Sequence, residues 1–353
     1  MHITDEGDRF EGELQDGKYH SQGTLHKANG DALVGIFENG INGNLKYYYK
    51  TGMLAYEGGY KDGQRHGDGI LYNGDGTGFQ GQWKDGQIWS GHGAVVYERR
   101  KGVTVKAIGT FTDGRLQGTG KLYYLSGNLQ GAWYEGCFKN GNFYGQGTYH
   151  RKNGELIVGD FENGITGTLK EVGANGYLKY DGGYKDGKRH GKGILYNSDG
   201  SSCQGEWSEG VFLHGQGEII TTENDGVSYK DVGTFGKGGN LQGAGKRFIL
   251  SGKNKGCRWE GNFIDGALDG RCVQYSNQGF LFKQDSIWVA TAYKGVIQGV
   301  ANCYSSNGNL LFKTIYKNGI EIGPRMTPQE LKDANLGLMN NTISAQRAST
   351  RAP

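Results

Sequence analysis

An aromatic residue, a glycine two positions later, a second aromatic and then an Asp-Gly or Asn-Gly pair recur along this sequence, mostly about 23 residues apart. Self-similarity at such a period is the mark of stacked supersecondary units, none of which can bury its apolar face alone. The clearest copy is YEGGYKDGQRHGDGILYNGDG, from Tyr56 to Gly76. Units begin at Phe10, Leu33, Tyr56 and Phe79, one is centred on Gly109, and more begin at Tyr134, Ile157, Tyr180 and Cys203. Another is centred on Gly233, one begins at Trp259, and two looser ones lie around Tyr293 and Tyr316, giving 13 units with the last half present.

A longer period is superimposed. A shift of 124 residues lays units one to five on units six to ten, and residues 56–73 match 180–197 at 15 of 18 positions. Near Gly239 a one-residue insertion makes the shift 125. The array therefore reads as two five-unit cassettes and a truncated third, grown by whole units.

Composition supports an ordered β-repeat. Glycine occurs 67 times, yet aromatics reach 12% with 22 Tyr, so the chain is not a flexible Gly-rich linker. All three prolines (Pro324, Pro328, Pro353) lie beyond the last unit, as expected where nearly every strand needs its N–H in a ladder. This places the end of the array near residue 323.

The strings YEGGYKDGQRHGDG, FQGQWKDG, YEGCFKNGNFYGQG, YDGGYKDGKRHGKG and WEGNFIDGALDG resemble MORN repeats (membrane occupation and recognition nexus). The stretches NLKYYYKTGMLAYEGGYKDG and NGYLKYDGGYKDG are similar to the variant found in bacterial antitoxin-like proteins. The resemblance covers roughly residues 7–320; it departs at Ala107 and Asp231, where a large apolar residue is expected, and near Tyr293, where the Asp-Gly step is missing.

Read as a strand, Tyr56, Gly58 and Tyr60 share a face, and the glycine leaves a gap between two rings for a ring of the adjacent repeat. Gly67, Gly69 and Leu71 likewise share a face and leave room for neighbouring aromatics. Asp-Gly or Asn-Gly ends the first strand in ten units, as at Asp62-Gly63, Asn163-Gly164 and Asp265-Gly266, and favours the positive φ of tight hairpin turns. The following four residues, Gln64 to Gly67, are expected to close the loop. The fold expected is all-β: an elongated single-layer antiparallel β-hairpin solenoid with a short C-terminal capping helix. Residues 1–9 form an N-terminal edge cap in which Asp5, Glu6, Asp8 and Arg9 crowd charge, and 10–323 form the array. Thr327-Pro328-Gln329-Glu330 has the order of a helix start, predicting a capping helix over 328–340 within a segment 324–340, with Leu331, Ala334 and Leu338 on one face. Residues 341–353 read as a disordered tail.

Chemistry is sparse. The eight histidines show no paired metal-ligand spacing, glycine pairs such as Gly191-Lys192-Gly193 lack the phosphate-loop order, and no nucleophile elbow occurs. No catalytic, cofactor or metal residue is assigned. Arg65-His66 and Arg189-His190 suit a structural loop role or contact with an anionic partner. Tyr47, Tyr48 and Tyr49 run consecutively, so at least one faces away from its neighbours; Trp89 reads as a loop residue and Trp288 lies in the loose twelfth unit. These nine are the candidate partner contacts, since interfaces favour Trp, Tyr and Arg anchors. Cys137 and Cys203 read as small packed hydrophobes.

The net charge of +3 gives no case for nucleic acid. Five cysteines without framework spacing, a polar start and no apolar run of membrane length read as a soluble, reduced, cytoplasmic protein, peripheral at most to membrane or cytoskeleton. The function expected is a non-catalytic scaffold presenting an extended β-trough to a protein partner. Alternatives are a peripheral protein binding acidic lipid or phosphoinositide headgroups, and a regulatory subunit of a separate enzyme. The resemblance also implies self-association, as a homodimer through the C-terminal units.

Overall fold

The computed structural model describes residues 2–3, 7–276 and 286–333. The chain divides into two compact units, Met1–Gly187 and Lys188–Pro353. Every strand is antiparallel to its sequence neighbour within each unit, and the sheets are open, as expected of a hairpin solenoid. The first unit runs from His2–Ile3 to Leu178–Lys185 and holds seven complete hairpins, among them Arg9–Gln15 with Lys18–His26 and Leu54–Lys61 with Gln64–Tyr72. Among the described residues the second runs from Lys188–Tyr196 to Ile320–Glu321 with five, from Ser202–Ser208 with Val211–Thr222 to Leu310–Lys317 with Ile320–Glu321.

The turns are tighter than expected. Lys61 pairs directly with Gln64, so Asp62-Gly63 is the whole turn, with φ of +50° and +77° at the two residues. That is the type I′ geometry whose twist matches the flanking strands. Gln64 to Gly67 is therefore not loop but the start of the returning strand, which places Arg65 and His66 inside it. The same backbone forms at Lys294-Gly295, where no Asp-Gly is present. Asn163 is the exception among the three turns singled out: the connection there spans residues 162–166 and only Gly164 has positive φ. Most turn glycines also point their N–H at the preceding repeat: Gly63 donates to the Ile41 carbonyl (2.9 Å), Gly86 to Arg65 (2.9 Å) and Gly141 to Leu116 (2.9 Å). In the second unit Gly210 donates to Arg189 (2.9 Å) and Gly295 to Leu268 (2.8 Å).

The glycine gaps are filled differently from the expectation. Gly58 pairs with Gly69 and Gly69 with Gly81, forming a bare backbone row across the strands. A Cβ on Gly69 would sit 2.5 Å from Cζ of Tyr56, so the gap is filled by the hairpin's own first ring, not by a neighbour's. Phe10 covers Gly12 and Gly23, and Tyr134 covers Gly136 and Gly147, in the same way. Rings of adjacent repeats then meet edge-on: Tyr56 with Trp83 at 5.3 Å, Phe10 with Phe37 at 5.1 Å and Tyr134 with Phe161 at 5.1 Å. Gly67 has a separate cause. Nothing lies within 4 Å of its would-be Cβ, but its φ of +73° turns the bulge between Gly58 and Tyr60.

Where the first aromatic is missing, the returning strand supplies a cover. Ala107 is buried and Leu116 lies over Gly109 and Gly120; Cys203 is buried and Phe212 lies over Gly205 and Gly215. Asp231 is buried but held bidentately by Arg247, at 2.8 Å for both bonds, while Leu241 covers Gly233 and Gly245. These units keep the common register.

At the N-terminal edge His2–Ile3 pairs with Arg9–Gln15, and Asp8 is tied to Lys27 at 2.8 Å; Asp5 and Glu6 lie outside the described residues. At the other end the chain after Ile320–Glu321 stays against Leu310–Lys317: Lys313 and Met326 exchange backbone bonds of 2.9 Å, and Arg325 lies over the Phe312 ring at 5.1 Å. A helix begins at residue 328 as expected and is described to 333. Thr327 N–H donates to Glu330 at 2.7 Å and Glu330 N–H to Thr327 Oγ1 at 3.4 Å, forming the capping box. Leu331 is half-buried; Ala334, Leu338 and the tail 341–353 lie outside the described residues. No helix among the described residues is long and apolar enough to cross a membrane.

Candidate functional site

Counting from the turn glycine organises the candidate residues. The second residue after it faces the rings: Leu116, Phe143 and Phe212 stand there, all buried, as do Arg65 and Arg189. Arg65 lies over Tyr56 at 4.8 Å and over Trp83 at 5.1 Å, and Arg189 lies over Trp207 at 5.1 Å. Both guanidiniums thus take an apolar residue's place and pack on rings.

The third residue points to the opposite face. It is His20, His66, Trp89, Gln117 and Tyr144 in the first unit, and His190 heads the series in the second. His66 Nδ1 faces Asp85 at 3.5 Å, and His190 Nδ1 faces Glu209 at 3.7 Å. Trp89 is a strand residue in this frame, within Gln87–Arg100, and not a loop residue as its sequence context suggested. Trp89 and Tyr144 are each 43% exposed, and each carries a lysine over its ring at 4.8 Å, Lys84 and Lys139.

The other candidates separate. Trp288 is only 6% exposed, packs on Phe312 at 5.4 Å and donates to Ser286 at 3.3 Å, so it belongs to the core and is withdrawn as a contact. Of the three tyrosines, Tyr49 is exposed and Tyr48 half-buried, while Tyr47 packs against the Phe10–Leu25–Leu33 cluster and donates its hydroxyl to Asp31. Tyr144, and an outer stack in which Trp133 lies on His150 at 3.6 Å and Tyr123 at 5.6 Å, were missed by sequence reasoning. Distance from the turn glycine would have found Tyr144. All five cysteines are free thiols; Cys203 is buried as expected, whereas Cys137 is half-buried. Burial pushes Cys203, Cys272 and Cys303 up to about 11.

Asp31 is a hub: besides Tyr47 it accepts from Lys50 N–H and Asn29 Nδ2, both at 2.8 Å. Burial, and then the Asp31 carboxylate, push Tyr47 up to about 12. The position 124 residues on is Glu155, bonded to Lys179 at 2.6 Å and Arg151 at 2.9 Å, beside a buried Glu171 that accepts from Tyr184 at 2.6 Å. Lys179, Asn153 and Arg151 hold Glu155 down at about 2. A carboxylate so firmly ionised is a poor proton carrier near neutrality.

A family model for the MORN repeat matches residues 10–32, 56–78, 79–89, 108–129, 134–155 and 180–202. The chain is a MORN repeat protein. The MORN units beginning at Leu33 and Ile157 fall outside those matches, and there Leu45 and Leu169 stand opposite Gly35 and Gly159 where other hairpins pair two glycines. Beyond residue 202 the same hairpin geometry continues without a match to the MORN model. Among curated proteins no sequence matches the chain. MORN repeats point to a role in protein or membrane interaction.

Proposed function

We propose that this MORN repeat protein is a non-catalytic scaffold that holds a partner protein on the outward row of its hairpins. The observation that carries this reading is the pair Trp89 and Tyr144, aromatic and exposed in a slot that His66, Gln117 and His190 fill elsewhere. The hairpin makes no demand for a ring at that slot, whereas a protein interface does. A solenoid whose repeats touch only their neighbours also offers continuous surface with few enclosed pockets. The strongest acid–base cluster, around Glu155 and Glu171, is consumed in internal pairing, which favours binding over turnover.

The test is site-specific photo-crosslinking from Gln117, which occupies the slot between Trp89 and Tyr144, in an extract of native cells. One protein should be captured, and capture should fall sharply in a Trp89→Ala/Tyr144→Ala variant whose circular dichroism is unchanged. Capture that ignores both substitutions would remove this row as the binding surface.

A further inference from the structure

The first two cassettes build the same long hairpin with opposite charges at its tip. In the first, Gln87–Arg100 and Val103–Thr112 meet at Arg99-Arg100-Lys101-Gly102-Val103. In the second, Val211–Thr222 and Ser228–Phe235 are joined through Glu223-Asn224-Asp225-Gly226-Val227. Three cations therefore stand where the duplicate has two carboxylates, and Arg99, Arg100 and Lys101 are all exposed. Arg99 is held in place, its Nη2 donating to the Gly141 carbonyl (3.1 Å) and to Asn142 Oδ1 (3.4 Å).

Beside this tip lies an open cleft of about 360 Å³, lined by Arg99, Arg100, Tyr124, Leu129, Tyr149 and Ile165 among others. It runs on into a second cleft of about 430 Å³ that shares Leu129, Tyr149 and Ile165 and is edged by Lys152. Leu129 is 37% exposed there. The 125-residue shift aligns Leu129 with Asn254 and Tyr149 with Gln274. Two apolar floor residues and the basic rim thus change together between copies of one fold, and the second copy shows that the hairpin requires none of them.

We propose that this cleft binds an acidic amphipathic segment of a partner protein, its apolar side chains on Leu129 and Ile165 and its carboxylates on Arg99, Arg100 and Lys101. The proposal rests on the scaffold reading and names the partner's chemistry. Two continuous open clefts suit a peptide segment laid along them better than a small molecule, whose sites enclose most of its surface. Rim cations select an acidic sequence and speed its encounter, while the floor supplies the apolar contact.

The test uses the full chain and a displayed library of random short peptides. Enriched sequences should combine apolar residues with net negative charge. By fluorescence anisotropy, their affinity should fall about tenfold or more when the second cassette's tip is grafted in (Arg99→Glu, Arg100→Asn, Lys101→Asp). Leu129→Asn should give a similar loss. The duplicate already folds with both sets of residues, so unfolding temperature should hold steady. Enriched peptides without acidic residues, equal binding to the graft, or no enrichment would overturn the proposal. So would graft-sensitive binding to phosphatidylserine vesicles in place of peptides, which would make the tip a membrane contact. Crosslinking from Gln117 that survives the graft alongside such a failure leaves the scaffold reading standing. Loss of that crosslinking with acidic-peptide binding intact does the reverse.

Discussion

Adding one methyl group at Gly69 tests how the hairpins are locked. Gly69 has ordinary φ, so alanine meets no backbone objection, but its Cβ would lie 2.5 Å from Cζ of Tyr56. Carbon atoms at rest keep about 3.5–4.0 Å apart, so the ring has to move by more than an ångström. It has nowhere to go: Tyr56 is fully buried, with Trp83 edge-on at 5.3 Å, Tyr60 at 5.4 Å and its hydroxyl bonded to the Gly59 carbonyl at 3.2 Å. Overpacking costs about 1–3 kcal/mol and each displaced ring contact about 0.5–1.5 kcal/mol, so Gly69→Ala should cost about 3 kcal/mol. Gly67→Ala is the control. Its Cβ would meet nothing within 4 Å, and only its φ of +73° resists, worth about 1–2 kcal/mol. Hydrogen exchange read by mass spectrometry over residues 54–72 should therefore fall about a hundredfold in protection for Gly69→Ala and about tenfold for Gly67→Ala. In a Tyr56→Ala background the Gly69 substitution should become nearly neutral, because the methyl then has room. Equal losses at the two glycines, or a Gly69 penalty that persists without the Tyr56 ring, would refute the ring-over-glycine account.

Three further outcomes are expected. Glu155 titrates near 2, below the ordinary carboxylate value of 4.5, so its stabilisation is present above that value and lost as pH falls from 4.5 towards 2; thermal melts across that window should show a slope that Glu155→Gln flattens. Thr327→Ala removes the capping box and should cost about 1 kcal/mol, seen as faster exchange confined to residues 328–333. Arg65→Leu should leave stability within about 1 kcal/mol of the parent, since aliphatic residues serve the same slot elsewhere, whereas Arg65→Ala should lose about 1 kcal/mol and shift the emission of Trp83.

The Asp-Gly turns and the helix start at Pro328 were legible because each is set by residues adjacent in sequence. Asp62-Gly63 dictates its turn, and Thr327 and Glu330 dictate the cap. The source of the ring over each glycine pair was not legible, since periodicity gives the face of Tyr56 but not the rotamer that folds it back over Gly69. The bulge at Gly67 also hid the start of the returning strand, so Arg65 and His66 were read as loop; the same misjudged turn length made Trp89 look out of frame. Trp288 was misjudged because irregular spacing suggested an irregular site, whereas its ring fills an ordinary core position. Composition carried no hint of the cleft beside Arg99, which depends on the tip of one hairpin reaching Gly141 and Asn142 some forty positions on.

The bond from most turn glycines to the carbonyl one repeat earlier makes the two ends of a hairpin unequal in how their length varies. At the Asp-Gly end an inserted residue can pull an amide off its neighbour: the longer connections at Gly40 and Gly164 keep the link, to Tyr19 at 2.9 Å and to Phe143 at 3.1 Å, whereas in residues 236–240, which carry the one-residue insertion, Gly239 donates to Gly236 at 3.1 Å instead. At the far end the ties differ from one connection to the next, as with the Leu125 N–H on the Thr104 carbonyl at 2.9 Å and Leu250 on Ser228 at 2.8 Å, and the connections range from the two residues between Arg100 and Val103 to the eight between Tyr124 and Trp133. The more variable margin is also the one that carries the charge swap between Arg99–Lys101 and Glu223–Asp225.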